Sequence, residues 1–155
     1  MTVLPPFQQV LDEHRTAVWR YLVATAGPVD AADLLQETLV AALRAYPTLR
    51  DASNLRSWLL TIAHHKVIDG ARARDRRPVP VGAVPERPAP EQPAQPDEEL
   101  WAAVRRLPPK QRSAVVQRFV ADLPYAEVAA IVGCSEDAAR QNVRAGLARL
   151  REELT

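Results

Sequence analysis

Three side chains near the start of the last predicted helix have types and spacing suited to reading DNA. Arg140, Gln141 and Arg144 fall at i, i+1 and i+4, so a helix presents them together near its N-terminal end. A guanidinium can bridge both acceptors on guanine's major-groove edge, and a carboxamide can pair with adenine. Arg149 and Arg151 lie further along and suit phosphates instead. The plainer reading is a solvated face, because Glu136, Asp137, Glu152 and Glu153 balance these four arginines. A second basic set, Lys66, Arg72, Arg74, Arg76 and Arg77, is opposed only by Asp69 and Asp75. His64 and His65 offer metal-ligand chemistry, but adjacent residues point about 100° apart on a helix. His65 and Asp69, one turn apart, make only two ligands, fewer than a zinc site needs. No serine has a nucleophile-elbow context and no glycine-rich loop could cradle a phosphate, so neither an enzyme, a metal nor a cofactor is expected.

The turn before Arg140 supports the DNA reading. Leu123 to Ser135 reads as a short helix, a glycine turn at Gly133 and a hydroxyl cap at Ser135 for the next helix, which is helix-turn-helix spacing. Gly133 suits a left-handed helix end, and Cys134 between the two tucks inward as a small hydrophobe. Ala139, Val143, Leu147 and Leu150 form the inward stripe of the second helix. Lys110, Arg112 and Arg118 on the preceding helix add basic character.

The elements that carry these residues form an all-α chain of two small helical domains joined by a Pro-rich linker. Seven of the 19 residues from Pro78 to Pro96 are proline, a composition that denies helix and sheet alike and reads as an extended linker. Pro85-Glu86-Arg87-Pro88 fits a proline-rich ligand motif only loosely. Apolar residues at three- and four-residue spacing predict helices over 5–26, 29–46 and 54–76 before the linker, and over 97–107, 109–121, 124–132 and 135–153 after it. In the second helix, Asp33, Gln36, Glu37, Val40 and Arg44 share one outward face, which alone reads as solvated. Trp58 lies on the stripe with Leu55, Leu59 and Ile62 and reads as core.

Composition narrows the classes further. The 155 residues carry 20 Lys+Arg against 19 Asp+Glu, so any nucleic-acid contact rests on local patches. One cysteine, Cys134, permits neither an internal disulfide nor a Cys-x-x-Cys pair. No run of 18 apolar residues and no leader pattern at the start are present, so a cytoplasmic protein without membrane insertion is expected.

Two blocks of sequence resemble the extracytoplasmic-function (ECF) sigma factors of the sigma-70 family. Asp33-Leu34-Leu35-Gln36-Glu37 and Trp58-Leu59-Leu60-Thr61-Ile62-Ala63 look like the signatures of that family's first domain. Leu107-Pro108-Pro109-Lys110-Gln111-Arg112, Tyr125-Ala126-Glu127-Val128-Ala129 and Gly133-Cys134-Ser135-Glu136 look like its second. The resemblance implies a region 2-like domain over 1–77, the linker over 78–96 and a region 4-like helix-turn-helix domain over 97–155. It implies that Asp33, Gln36 and Glu37 dock on core RNA polymerase. It implies that the loop from about Thr48 to Asn54, with Asn54, Arg56, Lys66, Arg72 and Arg74, meets the melted −10 element. Lys110, Arg112, Arg140, Gln141, Arg144 and Arg149 meet the −35 element on the same reading. Promoter DNA and core polymerase are the implied partners, with an anti-sigma factor that clamps both domains, and the free chain is expected to be a monomer. Two departures stand out: His64-His65 where many members carry Arg-Asn, and Gly146 where a helix former is usual, at about 1 kcal/mol relative to alanine.

Two other readings remain beside this one. A sigma mimic that occupies an anti-sigma protein keeps the helical surfaces and loses basic residues from the loop and the recognition helix. A helix-turn-helix repressor usually dimerises and has no use for the Asp33-Gln36-Glu37 face.

Overall fold

Helices form where the apolar spacing calls for them, and glycine, proline and aspartate break them. In this computed structural model residues 3–76 and 97–155 are described, with the backbone alone over 74–76. The proline-rich stretch 78–96 and Arg77 lie outside the described residues, as do the side chains of Arg74 and Arg76. Helix α1 (Phe7–Ala26) buries Val10, Val18, Tyr21 and Leu22. Gly27 ends it at φ 89° and returns its amide to the Val23 carbonyl at 2.9 Å, a backbone setting that glycine alone takes without strain. Pro28 then opens α2 (Pro28–Ala45), at a position where an amide has no helical partner to lose.

Helix α2 buries Leu34, Leu35, Thr38 and Ala42 against α1 and against α3 (Leu55–Arg76). Pro47 tightens the chain into a 3-10 turn over Tyr46–Thr48. The rings of Phe7 and Tyr46 lie 5.2 Å apart and those of Tyr46 and Trp58 6.0 Å apart. Trp58 is therefore a packing residue, half-buried on the flank of this three-helix half.

The second half comprises α4 (Glu98–Arg106), α5 (Pro109–Phe119), α6 (Tyr125–Val132) and α7 (Glu136–Leu154). Helix α5 stops two residues earlier than its apolar pattern predicts. Asp122 takes φ 54°, and the amides of Ala121 and Leu123 turn back to the carbonyls of Val116 and Gln117, each at 3.1 Å. Aspartate is among the few non-glycine residues that tolerate this conformation. Gly146 has a packing reason. A β-carbon there would lie 2.7 Å from Cγ2 of Val115, so its absence is what lets α7 press against α5.

The fold is all-α, with no strand among the described residues. The halves are not held apart: α1 packs on α4 and α5, α3 packs on α6, and the buried apolar side chains of both form one continuous cluster.

Candidate nucleic-acid interface

The helix-turn-helix is built by its turn. Gly133 sits in the left-handed region at φ 82°, ψ 43°, and the Ser135 hydroxyl accepts the Ala138 amide at 3.0 Å, satisfying one of the orphan donors of α7. This sets Arg140, Gln141 and Arg144 exposed on one side of the helix. Arg140 donates to Glu136 at 2.7 Å, lies 3.6 Å from Asp137, and stacks 5.1 Å over the Tyr125 ring. Arg118 lies 4.9 Å from the same ring and donates to the Leu123 carbonyl at 3.1 Å. Tyr125 thus stands between two guanidiniums and fixes the direction of Arg140. These ion pairs are exposed, so each is weak and exchangeable for another acceptor. Arg149 and Lys110 are also exposed, at the far end of α7 and in the first turn of α5.

Arg112 is not on that surface. Its guanidinium donates to the Leu107 carbonyl at 3.0 Å and, across the junction, to the Thr25 carbonyl at 3.2 Å. Burial lowers its pKa, and the nearby Tyr21 works the other way. It is a strut between the halves in this arrangement, half-buried where a DNA-facing side chain was expected.

The residues expected around a melted strand do not form one cluster. Asn54 caps α3 through the Ser57 amide at 3.1 Å and donates to Glu127 of α6 at 2.7 Å. Arg56 donates to the Ala121 carbonyl at 2.6 Å, while its Nε is buried without a partner. Both bond to the second half, Asn54 from an exposed position and Arg56 half-buried. Lys66 follows Arg56 by ten residues, about 15 Å along the helix, and lines a groove with Asp33, Gln36, Glu37 and Arg44. Arg72 is exposed near the end of α3.

Asp33, Gln36 and Glu37 are exposed together on α2. Next to them runs an apolar groove floored by Phe7, Leu11, Leu35 and Leu39, where Val40 and Leu43 are 42% and 55% exposed. Large apolar groups at that exposure beside an acidic face suit a docking surface. The sequence pattern had placed Val40 on this face but not Leu43.

Sequence reasoning missed a buried polar cluster at the junction. His64 Nδ1 lies 2.9 Å from Ser113 Oγ and 3.3 Å from Tyr21 OH, and Tyr21 OH lies 3.1 Å from Ser113 Oγ. Burial pushes the Tyr21 phenol up to about 12, and burial with the charge of His65 pushes His64 down to about 4. Gln117 lies near enough to ease the rise at Tyr21, yet neither of its amide atoms completes a hydrogen bond, and it is fully buried. A Ser-His pair is nucleophile chemistry elsewhere, but Ser113 and His64 are 3% and 4% exposed and no substrate reaches them. His65 and Asp69 point to solvent while His64 turns inward, and among the described residues no three His, Cys, Asp or Glu side chains converge.

Comparison with known proteins matches both halves. The family described as Sigma-70 region 2 matches residues 10–77, and Sigma-70, region 4 matches 97–150. The chain is 35% identical to the ECF RNA polymerase sigma factor SigD of Mycobacterium tuberculosis, over 95% of this chain and 76% of that protein. It is 34% identical to the RNA polymerase sigma-E factor of Streptomyces coelicolor, over 82% and 73%. Among solved structures it is similar to the sigma factor RpoE in complex with the anti-sigma factor NepR from Bartonella quintana. That likeness has a TM-score of 0.78 at 26% identity and covers 97% of this chain and 98% of the other. The fold is shared with CnrH in complex with the cytosolic domain of CnrY, with a TM-score of 0.70 at 21% identity over 96% and 86%.

Proposed function

The chain belongs to the ECF sigma factors of the sigma-70 family, and on that premise we propose how its surfaces divide the work of promoter-specific initiation. As an alternative sigma factor it directs core RNA polymerase to promoters. The bond-making belongs to the polymerase and the chain contributes recognition, a role that places it in the cytoplasm. Residues 1–77 act as the region 2 domain, 78–96 as the linker and 97–155 as the region 4 domain. Asp33, Gln36 and Glu37, with the apolar ridge of Val40 and Leu43, dock on the polymerase. Arg140, Gln141 and Arg144 enter the major groove at the −35 element, with Lys110 and Arg149 on phosphates. Asn54, Arg56, Lys66, Arg72 and Arg74 hold the melted −10 strand, where a binder of single strands offsets the few kcal/mol of unstacking.

One observation carries the reading: the capped turn at Gly133-Ser135 sets an exposed Arg140-Gln141-Arg144 face behind a three-helix half with its own exposed Asp33-Gln36-Glu37 face. Geometry adds a requirement. The −35 and −10 elements are separated by about 25 base pairs, or about 85 Å at about 3.4 Å per pair. A compact chain of 155 residues has a radius of gyration of only about 15 Å. The halves must part on the promoter, which frees Asn54, Arg56 and Arg112. RpoE is held by NepR in a structure that this closed chain resembles throughout. That supports reading the closed form as the one an anti-sigma partner holds.

Run-off transcription with core polymerase and fragmented genomic DNA tests the reading. Discrete starts that depend on the added chain and follow a shared pair of −35 and −10 motifs are expected. Arg140→Ala with Arg144→Ala removes those starts while polymerase association persists, and Asp33→Lys with Glu37→Lys abolishes the association itself. Full initiation by the first pair removes Arg140 and Arg144 from the recognition face, and unchanged polymerase affinity in the second ends the docking assignment.

A further inference from the structure

We propose that His64 is a proton-sensitive latch between the two halves: neutral, it holds them closed through Ser113 and Tyr21; protonated, it releases them and frees Asn54, Arg56 and Arg112 from their partners across the junction.

Two of the three contacts, those to Ser113, cross the junction. Tyr21 is on α1, His64 on α3 and Ser113 on α5, so the three oxygens and nitrogens meet only while the halves are closed. The arrangement that satisfies all three has the Tyr21 hydroxyl donating to Ser113 and the Ser113 hydroxyl donating to Nδ1 of a neutral ring, with hydrogen on Nε2. A protonated ring can donate back to Ser113, so the loss on protonation comes from burying a charge rather than from a missing bond.

Nothing around the ring receives that charge. Tyr21 on α1 is a neutral phenol. Helix α5 presents Ser113, the uncharged amide of Gln117, and the cation of Arg112, which acts on Tyr21. On α3 itself the neighbour is His65, whose ring centre is 5.7 Å away. Glu127, the acid that α6 turns to α3, is held at Asn54, about 15 Å along the helix from His64. Asp33 and Glu37 of α2 line the solvent-side groove with Lys66. Among the described residues no carboxylate pairs with His64. The apolar packing across the junction opposes opening, and it is partly offset because Gln117 and Arg56 Nε are buried there without partners and regain water on opening.

The sign follows. In the open form His64 is a solvated imidazole near its ordinary value, and in the closed form it is depressed to about 4. Closure is therefore at full strength above about pH 6.5 and weakens as pH falls toward about 4. The difference lets one proton shift the balance toward the open form by up to about 300-fold. Release of the DNA-facing groups rests on the promoter reading above, whereas the proton-linked opening stands apart from it and is measured without DNA.

The test is small-angle scattering of the full chain from about pH 8 to about pH 4, with the His64 ring followed by NMR and helix content by circular dichroism. The radius of gyration should rise on acidification with helix content unchanged, and the midpoint should coincide with protonation of His64. His64→Gln, which keeps a hydrogen-bonding side chain and takes no proton, should stay compact throughout. Ser113→Ala should open at higher pH than the natural chain. The proposal is overturned if His64 titrates as a free imidazole while the chain stays compact, if His64→Gln expands like the natural chain, or if helix is lost along with compactness.

Discussion

The seam between α5 and α7 and the junction between the two halves are both buried, but the junction carries far more polar contact. At the seam, Gly146 removes a β-carbon so that Val115 and the stem of Gln111 can approach the α7 backbone, and the one unsatisfied polar atom there is Gln111 Oε1. At the junction the apolar core runs on between the halves, and set into it are a phenol, a serine, a neutral imidazole and two arginines bonded to carbonyls, with Gln117 and Arg56 Nε left unsatisfied. Close apolar packing loses its stabilisation as soon as it is separated, and water returns nothing for it. Polar contacts recover much of theirs from water. The first suits a unit that stays folded, and the second suits a surface that opens and closes.

Four changes break or sharpen that contrast, in order of expected size. Ile131→Ala cuts into the permanent packing of α6 and should cost about 2–5 kcal/mol in denaturant unfolding; a cost no larger than that of Ser113→Ala would erase the distinction. Raising the pH should act on the junction alone at first. The phenol of Tyr21 is pushed up to about 12, so its share of closure is complete below about pH 10 and is lost as pH climbs toward about 12, at most about 2–3 kcal/mol. Tyr21→Phe should flatten that alkaline dependence of the radius of gyration, and an unchanged profile would remove Tyr21 from the latch. Gly146→Ala should destabilise the chain by about 1–2 kcal/mol and so lower its melting temperature, because overpacking against Val115 outweighs the better helix propensity of alanine. A rise in melting temperature would show that the seam gives way. Gln117→Leu should leave stability unchanged or raise it by up to about 1 kcal/mol, since it removes two unsatisfied polar atoms; a clear loss would mean that the amide is bonded in solution.

The contrast also marks what could be read from residues alone. Helix limits emerge from apolar spacing to within about two residues, and the Gly133 and Ser135 turn is local chemistry with only one comfortable conformation. The faces of α2 and α7 follow from helical period. The junction leaves no such trace. Its partners are 43, 49 and 92 residues apart in the chain, and Tyr21, Ser113 and Gln117 are residue types that sit equally well on a solvated helix. Arg56 and Arg112 read as DNA ligands because charge is visible in sequence, while the carbonyls of Ala121 and Thr25 that hold them in the closed form are not. The early end of α5 was hidden for a related reason: Asp122 gives no breaker signal as clear as glycine. Gly146, by contrast, was visible as an anomaly, and only the position of Val115 explains it.

The central claim is that the halves close on one another to cover promoter-facing groups and part to initiate. It is tested most directly by tying them together at positions outside the recognition set. Arg20 and Val120 line one groove across the junction, so Arg20→Cys with Val120→Cys, in a chain with Cys134→Ser, can be bridged by a bis-maleimide carrying a cleavable disulfide. Before bridging, this chain should support promoter-specific run-off transcription; bridged, it should support none; and cleaving the bridge with reductant should restore it. Undiminished initiation by the fully bridged chain would contradict the account.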